Sequence, residues 1–307
     1  MHSRKRKRTL FIISLVAFPI AQWLIFWLYV NIQTLALSFQ SFDYFEGKYV
    51  FAGFDNYIRL AKSISQNKTM LNAFKNTFHA IAINCITLPI AIIVAYAFFK
   101  KIPFEKFFRV AFYLPSMVSI VVLTLAFRYM FNNSESTFVG PVAEILNRIG
   151  IVFPGWDTLE HPGTVWVLIY IFAVWAGLGT NVIMISGAMN RIPRSITEQA
   201  KLDGVGFWRE LLTINLPLVM PTIATFLLTS VMAVFSFYLQ PMLLAVNQGV
   251  DGAIYTIPWY IFENAQLGDA SALIDSTTVG LMFTVIMLPI IVITKKVTDK
   301  LTPDVSF

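Results

Sequence analysis

The chain has 307 residues, of which 57% are hydrophobic and only 13% charged, with a mean hydropathy of +0.67. Soluble domains hold about 45–50% apolar and about 25% charged residues, so this composition excludes an ordinary water-soluble domain and indicates a membrane protein. The formal charge of +6 does not signal nucleic acid, because the basic residues form no aromatic-interleaved patch, and the single cysteine, Cys85, excludes an intramolecular disulfide.

In chain order, the predicted elements are a basic amino terminus over 1–9 and a first span over 10–39. An outer loop over 40–74 follows, then a second span over 75–99 and a third over 110–131. A second outer loop over 132–163 leads to a fourth span over 164–189. A polar segment over 190–217 precedes a fifth span over 218–246. A last outer loop over 247–276, a sixth span over 277–294 and a tail over 295–307 complete the chain. Each apolar run reaches or approaches the roughly 20 residues that a helix needs to cross about 30 Å of hydrocarbon. The first is uncharged from Thr9 to Phe42, well beyond the apolar core of about 7–15 residues in a cleavable signal, so an uncleaved span is expected. The fold class predicted is an all-α polytopic membrane protein with six transmembrane helices.

Orientation follows from the basic residues. With a cytoplasmic amino terminus, the inner segments carry sixteen Lys and Arg, in 4–8, 100–109, 191–209 and 295–300. The outer segments carry six, and the last outer loop has four acids and no Lys or Arg. This positive-inside bias predicts that both termini and the 190–217 segment are cytoplasmic. In the outer loops, Tyr57, Leu60, Ala61 and Ile64 at helical spacing predict an amphipathic helix. Gly140-Pro141, Pro154-Gly155 and Pro162-Gly163 predict turns around a short helix from Val142 to Arg148.

No G-x-x-x-x-G-K-[ST] pattern occurs, so the chain is not expected to bind ATP in a phosphate loop. His2, His79 and His161 are widely separated and lack ligand-spaced neighbours, which predicts no metal site. Ionisable residues in the spans are limited to His79 and Arg128, against a proton-relaying secondary transporter. The fourth span offers Trp175, Gly177, Thr180 and Asn181, and the fifth Ser230, Phe235, Ser236, Phe237, Tyr238 and Gln240. Neutral hydrogen-bonding groups beside aromatic faces suit a sugar, whereas a cation would call for acids and a phosphate for Lys or Arg. The competing reading is helix packing, since small and hydroxylated residues also let membrane helices approach.

The polar segment from Ser195 to Pro217 reads as two short helices around a glycine corner. Ser195 and Glu198 have capping-box spacing, Gly204 suits a left-handed helix end, and Gly206 suits a second turn residue. Phe207, Leu211 and Ile214 share one face of the next helix, and Pro217 is expected to close it.

Glu198-Gln199-Ala200, Gly204 and, after nine intervening residues, Ile214-Asn215-Leu216-Pro217 together resemble the EAA loop of permease subunits of type I ABC importers. Gln199 departs from the alanine usual there. Phe51–Tyr57, Asn72–Thr77 and Phe107–Pro115 are similar to the carbohydrate-uptake group that contains maltose permease F. The resemblance covers nearly the whole chain, with a permease domain over 75–300, and implies a type I importer fold with the EAA hairpin between the fourth and fifth spans. It implies that Glu198 contacts a cytoplasmic ATPase, Ala200 permits close approach and Gly204 forms the corner, with Asp203, Leu216 and Pro217 in the same coupling set. It also implies a second permease subunit, two ATPase subunits and an external solute-binding protein. ATP and Mg would sit on the partner ATPase, and the chain itself would bind no cofactor and be no enzyme. The expected location is a bacterial cytoplasmic membrane and the expected cargo a carbohydrate, an oligosaccharide first. A glycerol phosphodiester is the alternative cargo, and a secondary transporter or channel is the alternative class.

Overall fold

The computed structural model describes residues 2–134, 138–151, 162–245 and 247–302, so the expected Pro154-Gly155 turn lies outside the described residues. The described chain is helical apart from two short β-hairpins. In order come α1 (His2–Gln22), a π-helical stretch (Trp23–Tyr29), α2 (Val30–Ser38), β1 (Gln40–Asp43), β2 (Lys48–Phe51), α3 (Asp55–Gln66), α4 (Lys68–Thr77) and α5 (His79–Phe99). Then follow α6 (Glu105–Met117), α7 (Ile120–Met130), β3 (Asn133–Ser134), β4 (Phe138–Val139), α8 (Pro141–Arg148) and α9 (Pro162–Met189). The rest comprises α10 (Arg194–Leu202), α11 (Phe207–Glu210), a π-helical turn (Leu211–Asn215), α12 (Leu216–Leu218), α13 (Met220–Met232), α14 (Leu239–Leu244), α15 (Ile257–Leu267) and α16 (Ala270–Leu301).

Among the described residues, four helical stretches are long and apolar enough to cross a membrane: Phe11–Ser38, Lys68–Phe99, Pro162–Met189 and Ala270–Leu301. Two bent pairs raise the number to six if each pair is one span. Glu105–Met117 and Ile120–Met130 meet at 107°, and Phe207–Leu218 and Met220–Phe235 at 78°. The first bend interrupts the continuous helix expected over 110–131. Pro115 removes an amide donor near the end of α6, and Val118 and Ser119 are extended at ψ 146° and 129°. The second bend falls at Val219, two residues beyond the expected stop. Pro217 sits within the first turn of α12, where a missing N–H is tolerated.

The chain divides into two units. In the first, residues 1–63 and 261–284, the β1–β2 hairpin pairs Gln40 with Phe51. The buried Asn56 amide donates to the carbonyls of Ser38 at 2.9 Å and Gln40 at 2.7 Å, fastening α3 to the end of α2. Arg59 pairs with Asp275 of α16. Asp269 caps α16, accepting from the amide of Ser271 at 3.2 Å and from the Tyr44 hydroxyl at 2.9 Å.

In the second unit, residues 64–260 and 285–307, α5 and α9 pack along their lengths. Ala91, Ala95, Tyr96, Val182, Ile185 and Met189 are fully buried in a cluster completed by Leu211, Val219 and Ile223. In hydrocarbon there is no hydrophobic drive between helices, so close packing of small side chains supplies the attraction. Gly179 shows this most sharply: a Cβ there would stand 2.6 Å from the Phe112 carbonyl and 2.8 Å from Ser116 Oγ of α6. Asn76 ties α4 to the segment before α15, its amide donating to the carbonyls of Gly252, Ala253 and Tyr255 at 3.0–3.2 Å. His79 stacks on Trp166 at 4.0 Å and shares a 2.7 Å hydrogen bond with Tyr170, a packed role. Arg128 turns inward, donating to the Leu243 carbonyl.

Candidate functional site

Two places carry the sequence-predicted residues, the polar hairpin and a cavity among the spans. In the hairpin, α10 starts at Arg194 with Pro193 in the cap position, and no side chain caps it. Ser195 is therefore inside the first turn and the capping box does not form. Proline at the cap admits the extended backbone it needs (φ −56°, ψ 136°) and takes that position one turn earlier. Glu198 is left exposed, free of a capping duty, while Ala200 is buried two residues on.

The corner follows from backbone chemistry. Gly204 takes φ +65°, and the Val205 amide reaches back to the Ala200 carbonyl at 3.0 Å, the long bond of a glycine-terminated helix end. Asp203 ends α10, and Gly206 is extended and leads into α11. Beyond Glu210 the helix widens into the π turn, where the buried Asn215 amide donates to the Glu210 carbonyl at 3.2 Å. Pro217, without an N–H, accounts for a ladder that cannot stay regular here. Leu216 is half-buried and Pro217 exposed.

Composition reading missed the hairpin's apolar outer surface. Leu202, at its tip, is 88% exposed, and Trp208 is 58% exposed. The signal available was a leucine adjoining the Asp-Gly corner. A cavity of about 410 Å³ beside the hairpin is lined by Lys100, Lys101, Arg194, Thr197, Glu198 and Lys201 among others.

The second place is a cavity of about 250 Å³ between α5, α9 and the segment after α13. Its polar lining is Asn84, Ser236 and Gln240, and its walls are Ala80, Ile83, Ile120, Ala173, Ala176, Gly177, Ala233 and Phe237. Gln240 Oε1 is buried with no hydrogen-bond partner, which leaves a strong acceptor unsatisfied beside the void. Asn84 spends its amide N–H on the Ala80 carbonyl at 2.9 Å, and its carbonyl oxygen remains to accept.

Of the predicted pathway residues, Gly177, Ser236 and Phe237 line this cavity. Trp175 instead lines a separate, wholly apolar cavity of about 240 Å³ with Leu123, Phe127 and Phe131. Asn181 donates to the Gly177 carbonyl at 3.1 Å and Ser230 to Phe226 at 2.7 Å, each within its own helix. Thr180 and Phe235 are exposed, and Tyr238 is half-buried. Asn84 was not among the expected residues, being a lone amide in an apolar run. Gln240, gathered with the fifth span's polar groups, does line the cavity.

A mostly helical chain with long apolar helices, bent helix pairs and a polar hairpin fits a membrane transport subunit. The chain belongs to the family described as binding-protein-dependent transport system inner membrane component, whose model matches residues 87–307. Members of that family are non-catalytic membrane subunits of ABC transporters. The chain is 24% identical over 283 residues to the arabinooligosaccharides transport system permease protein AraP of Bacillus subtilis (strain 168), covering 90% of this chain and 85% of that one. It is 28% identical over 280 residues to the sn-glycerol-3-phosphate transport system permease protein UgpA of Shigella dysenteriae serotype 1, covering 90% of each. Among solved structures it matches a chain of a bacterial ABC transporter involved in import of the acidic polysaccharide alginate. The TM-score is 0.81 at 21% identity, over 98% of this chain and 99% of that one. A second match, at TM-score 0.80 and 21% identity over 97% of both chains, is the alginate transporter in complex with an alginate pentasaccharide-bound periplasmic protein.

Proposed function

We propose that this chain is one of two permease subunits of an ATP-driven importer and forms, with its partner, the translocation path for a carbohydrate, an oligosaccharide first. An external solute-binding protein delivers the sugar, and two cytoplasmic ATPase subunits, which carry the ATP and Mg, supply the work. The observation that carries the cargo class is the neutral cavity. Asn84, Ser236 and Gln240 stand among small residues and Phe237, with the Gln240 amide oxygen lacking a donor. A sugar hydroxyl is such a donor, and a ring C–H face suits Phe237. The volume of about 250 Å³ falls below the roughly 300–1,000 Å³ of complete small-molecule pockets, in keeping with a site shared by two chains. The arabinooligosaccharide and alginate systems among the similar proteins support the same class.

The hairpin supports the energy source. The positive-inside bias puts it in the cytoplasm, where an exposed leucine and tryptophan need a protein partner rather than lipid. Glu198 supplies the polar contact, Ala200 the close approach and Gly204 the corner, with Asp203, Leu216 and Pro217 shaping the two ends. ATP-driven closure of the ATPases displaces the hairpin, and the spans respond by swinging about the break at Val219.

The second reading is a glycerol phosphate cargo, favoured by the similarity to UgpA. A phosphate in a low-dielectric site calls for Lys or Arg, and the residues lining the cavity include neither. The test is uptake by the purified importer in proteoliposomes, with internal ATP and its own binding protein. Labelled arabino- and malto-oligosaccharides compete against sn-glycerol-3-phosphate. ATP-dependent uptake of a saccharide is expected, reduced about fivefold by Gln240→Leu, the loss of about one hydrogen bond. Uptake of sn-glycerol-3-phosphate but of no saccharide overturns the carbohydrate reading.

A further inference from the structure

A partly buried ion pair joins the hairpin to α5. Glu210, the last residue of α11, is 2% exposed, and Lys100 Nζ donates to both of its carboxylate oxygens at 2.5–2.6 Å. Lys100 is the residue just past α5. Its ammonium lies 5.6 Å from the centre of the Tyr96 ring, and that ring packs on Phe207 of α11 at 4.6 Å. The main chain is held as well, because Asn215 donates to the Glu210 carbonyl. By contrast, Ala200 is the buried residue of α10, and Glu198 is exposed.

Stability alone does not explain charges in this position. Burying the Glu210 carboxylate is expensive even with Lys100 only half-buried beside it, and apolar side chains of similar volume often serve as well or better. The best-attested use of a buried polar pair is to fix one register where several would pack. A register matters at a joint that must pass on a displacement. From Lys100 to the cavity residue Asn84 runs one helix, 16 residues at 1.5 Å each or about 24 Å. A shift of its cytoplasmic end is therefore a shift of the cavity wall.

We infer that Lys100 and Glu210 are positioning residues that transmit hairpin movement to α5, and through it to the cavity. The inference rests on the reading of the hairpin as the contact for the ATPase. Pushed through Glu198 and Leu202, the hairpin carries α5 with it because Glu210 cannot slide past Lys100 without stranding a buried charge. The joint is intramolecular and distinct from the contact with the ATPase.

The experiment uses the importer purified with its native partner subunits and reconstituted in nanodiscs. Lys100→Met, Glu210→Gln and the exchange Lys100→Glu/Glu210→Lys are compared for copurification, basal ATP hydrolysis and hydrolysis stimulated by saccharide-loaded binding protein. Each single variant is expected to copurify and keep basal hydrolysis while losing about tenfold of the stimulation, within the 5–150-fold usual for coupled sites. The exchange should recover it. Spin labels on Lys101→Cys and Arg209→Cys, in a Cys85→Ala background, report the joint directly. The distance should stay single on trapping with ATP and vanadate in the parent and split in Glu210→Gln. Full stimulation with an unsplit distance in the single variants overturns the inference. If the single variants fail to assemble, the exchange decides, since an assembled but unstimulated exchange overturns it too. Glu198→Lys separates the two levels. Full stimulation in that variant refutes the coupling reading itself, whereas loss there with full stimulation in Glu210→Gln refutes only the joint.

Discussion

Three of the four glycines of α9, Gly177, Gly179 and Gly187, allow a prediction in which one substitution is tested against two internal controls. Adding a Cβ at Gly179 places it 2.6 Å from a backbone carbonyl and 2.8 Å from a short serine side chain, and the carbonyl of Phe112 cannot rotate away. At Gly177 the nearest neighbour is Thr87 Cγ2 at 3.7 Å, ordinary contact, and at Gly187 nothing lies within 4 Å. All three Gly→Ala changes gain about 0.5–1 kcal/mol from reduced backbone freedom in the unfolded chain. At Gly179 the overpacking costs about 1–3 kcal/mol, because α6 must move off α9 by several tenths of an ångström. Gly179→Ala should therefore unfold about 1–3 kcal/mol more easily than Gly187→Ala, which should be slightly more stable than the parent.

Equilibrium unfolding of the purified protein in mixed micelles by added dodecyl sulfate, followed by tryptophan fluorescence, ranks the three. Gly177→Ala should be near-neutral in unfolding yet lower uptake, because it removes volume from the cavity it lines. If Gly179→Ala matches Gly187→Ala in stability, the close approach of α6 and α9 does not exist as described.

Leu202→Glu should weaken copurification of the ATPase by tenfold or more, the effect of losing a central apolar anchor of about 1.4 kcal/mol or above, while leaving membrane insertion unchanged. Unchanged copurification would show that the exposed leucine meets no partner. Asp269 carries the pH prediction. The Ser271 hydroxyl, then the Tyr44 hydroxyl, hold its carboxyl below the ordinary value of 3.8. Because the folded state favours the ionised form, its contribution is fully present above 3.8 and is lost as pH falls through the lowered value. Asp269→Asn should accordingly lower the melting temperature at pH 7, and the gap from the parent should close only below about pH 3.8; a gap independent of pH would exclude the charge as its cause.

Much of the fold was legible because the bilayer imposes it through length and composition. Apolar runs near 20 residues and a polar hairpin survive any detail of packing. Gly204 was legible for a local reason, as the left-handed helix end is cheap only for glycine. What failed was only partly local. Ser195 and Glu198 have capping spacing, yet Pro193 pre-empts the cap. The break at Val118–Ser119 depends on α7 turning away by 107°, which no local pattern requires. The Lys100–Glu210 pair joins positions 110 apart in sequence, and only the folded hairpin brings them together.

The cavity was the hardest part to read, and helix geometry says why. In a span that is apolar all round, periodicity does not say which face looks inward, so polar and aromatic residues can be gathered but not aimed. Trp175 and Gly177 were grouped as one surface, but two residues on a helix of 3.6 residues per turn lie about 200° apart. One faces the apolar cavity with Phe127 and the other faces Asn84 and Gln240. Ala173, Ala176 and Gly177, spaced at three and four, do share a face, and they are the members of α9 that line the cavity. The wall of small residues is what leaves the cavity open, and the hydrogen-bonding groups come from α5 and the segment after α13. A specificity change should therefore be sought at Asn84, Ser236 and Gln240, and a change in cargo size at Ala173, Ala176 and Gly177.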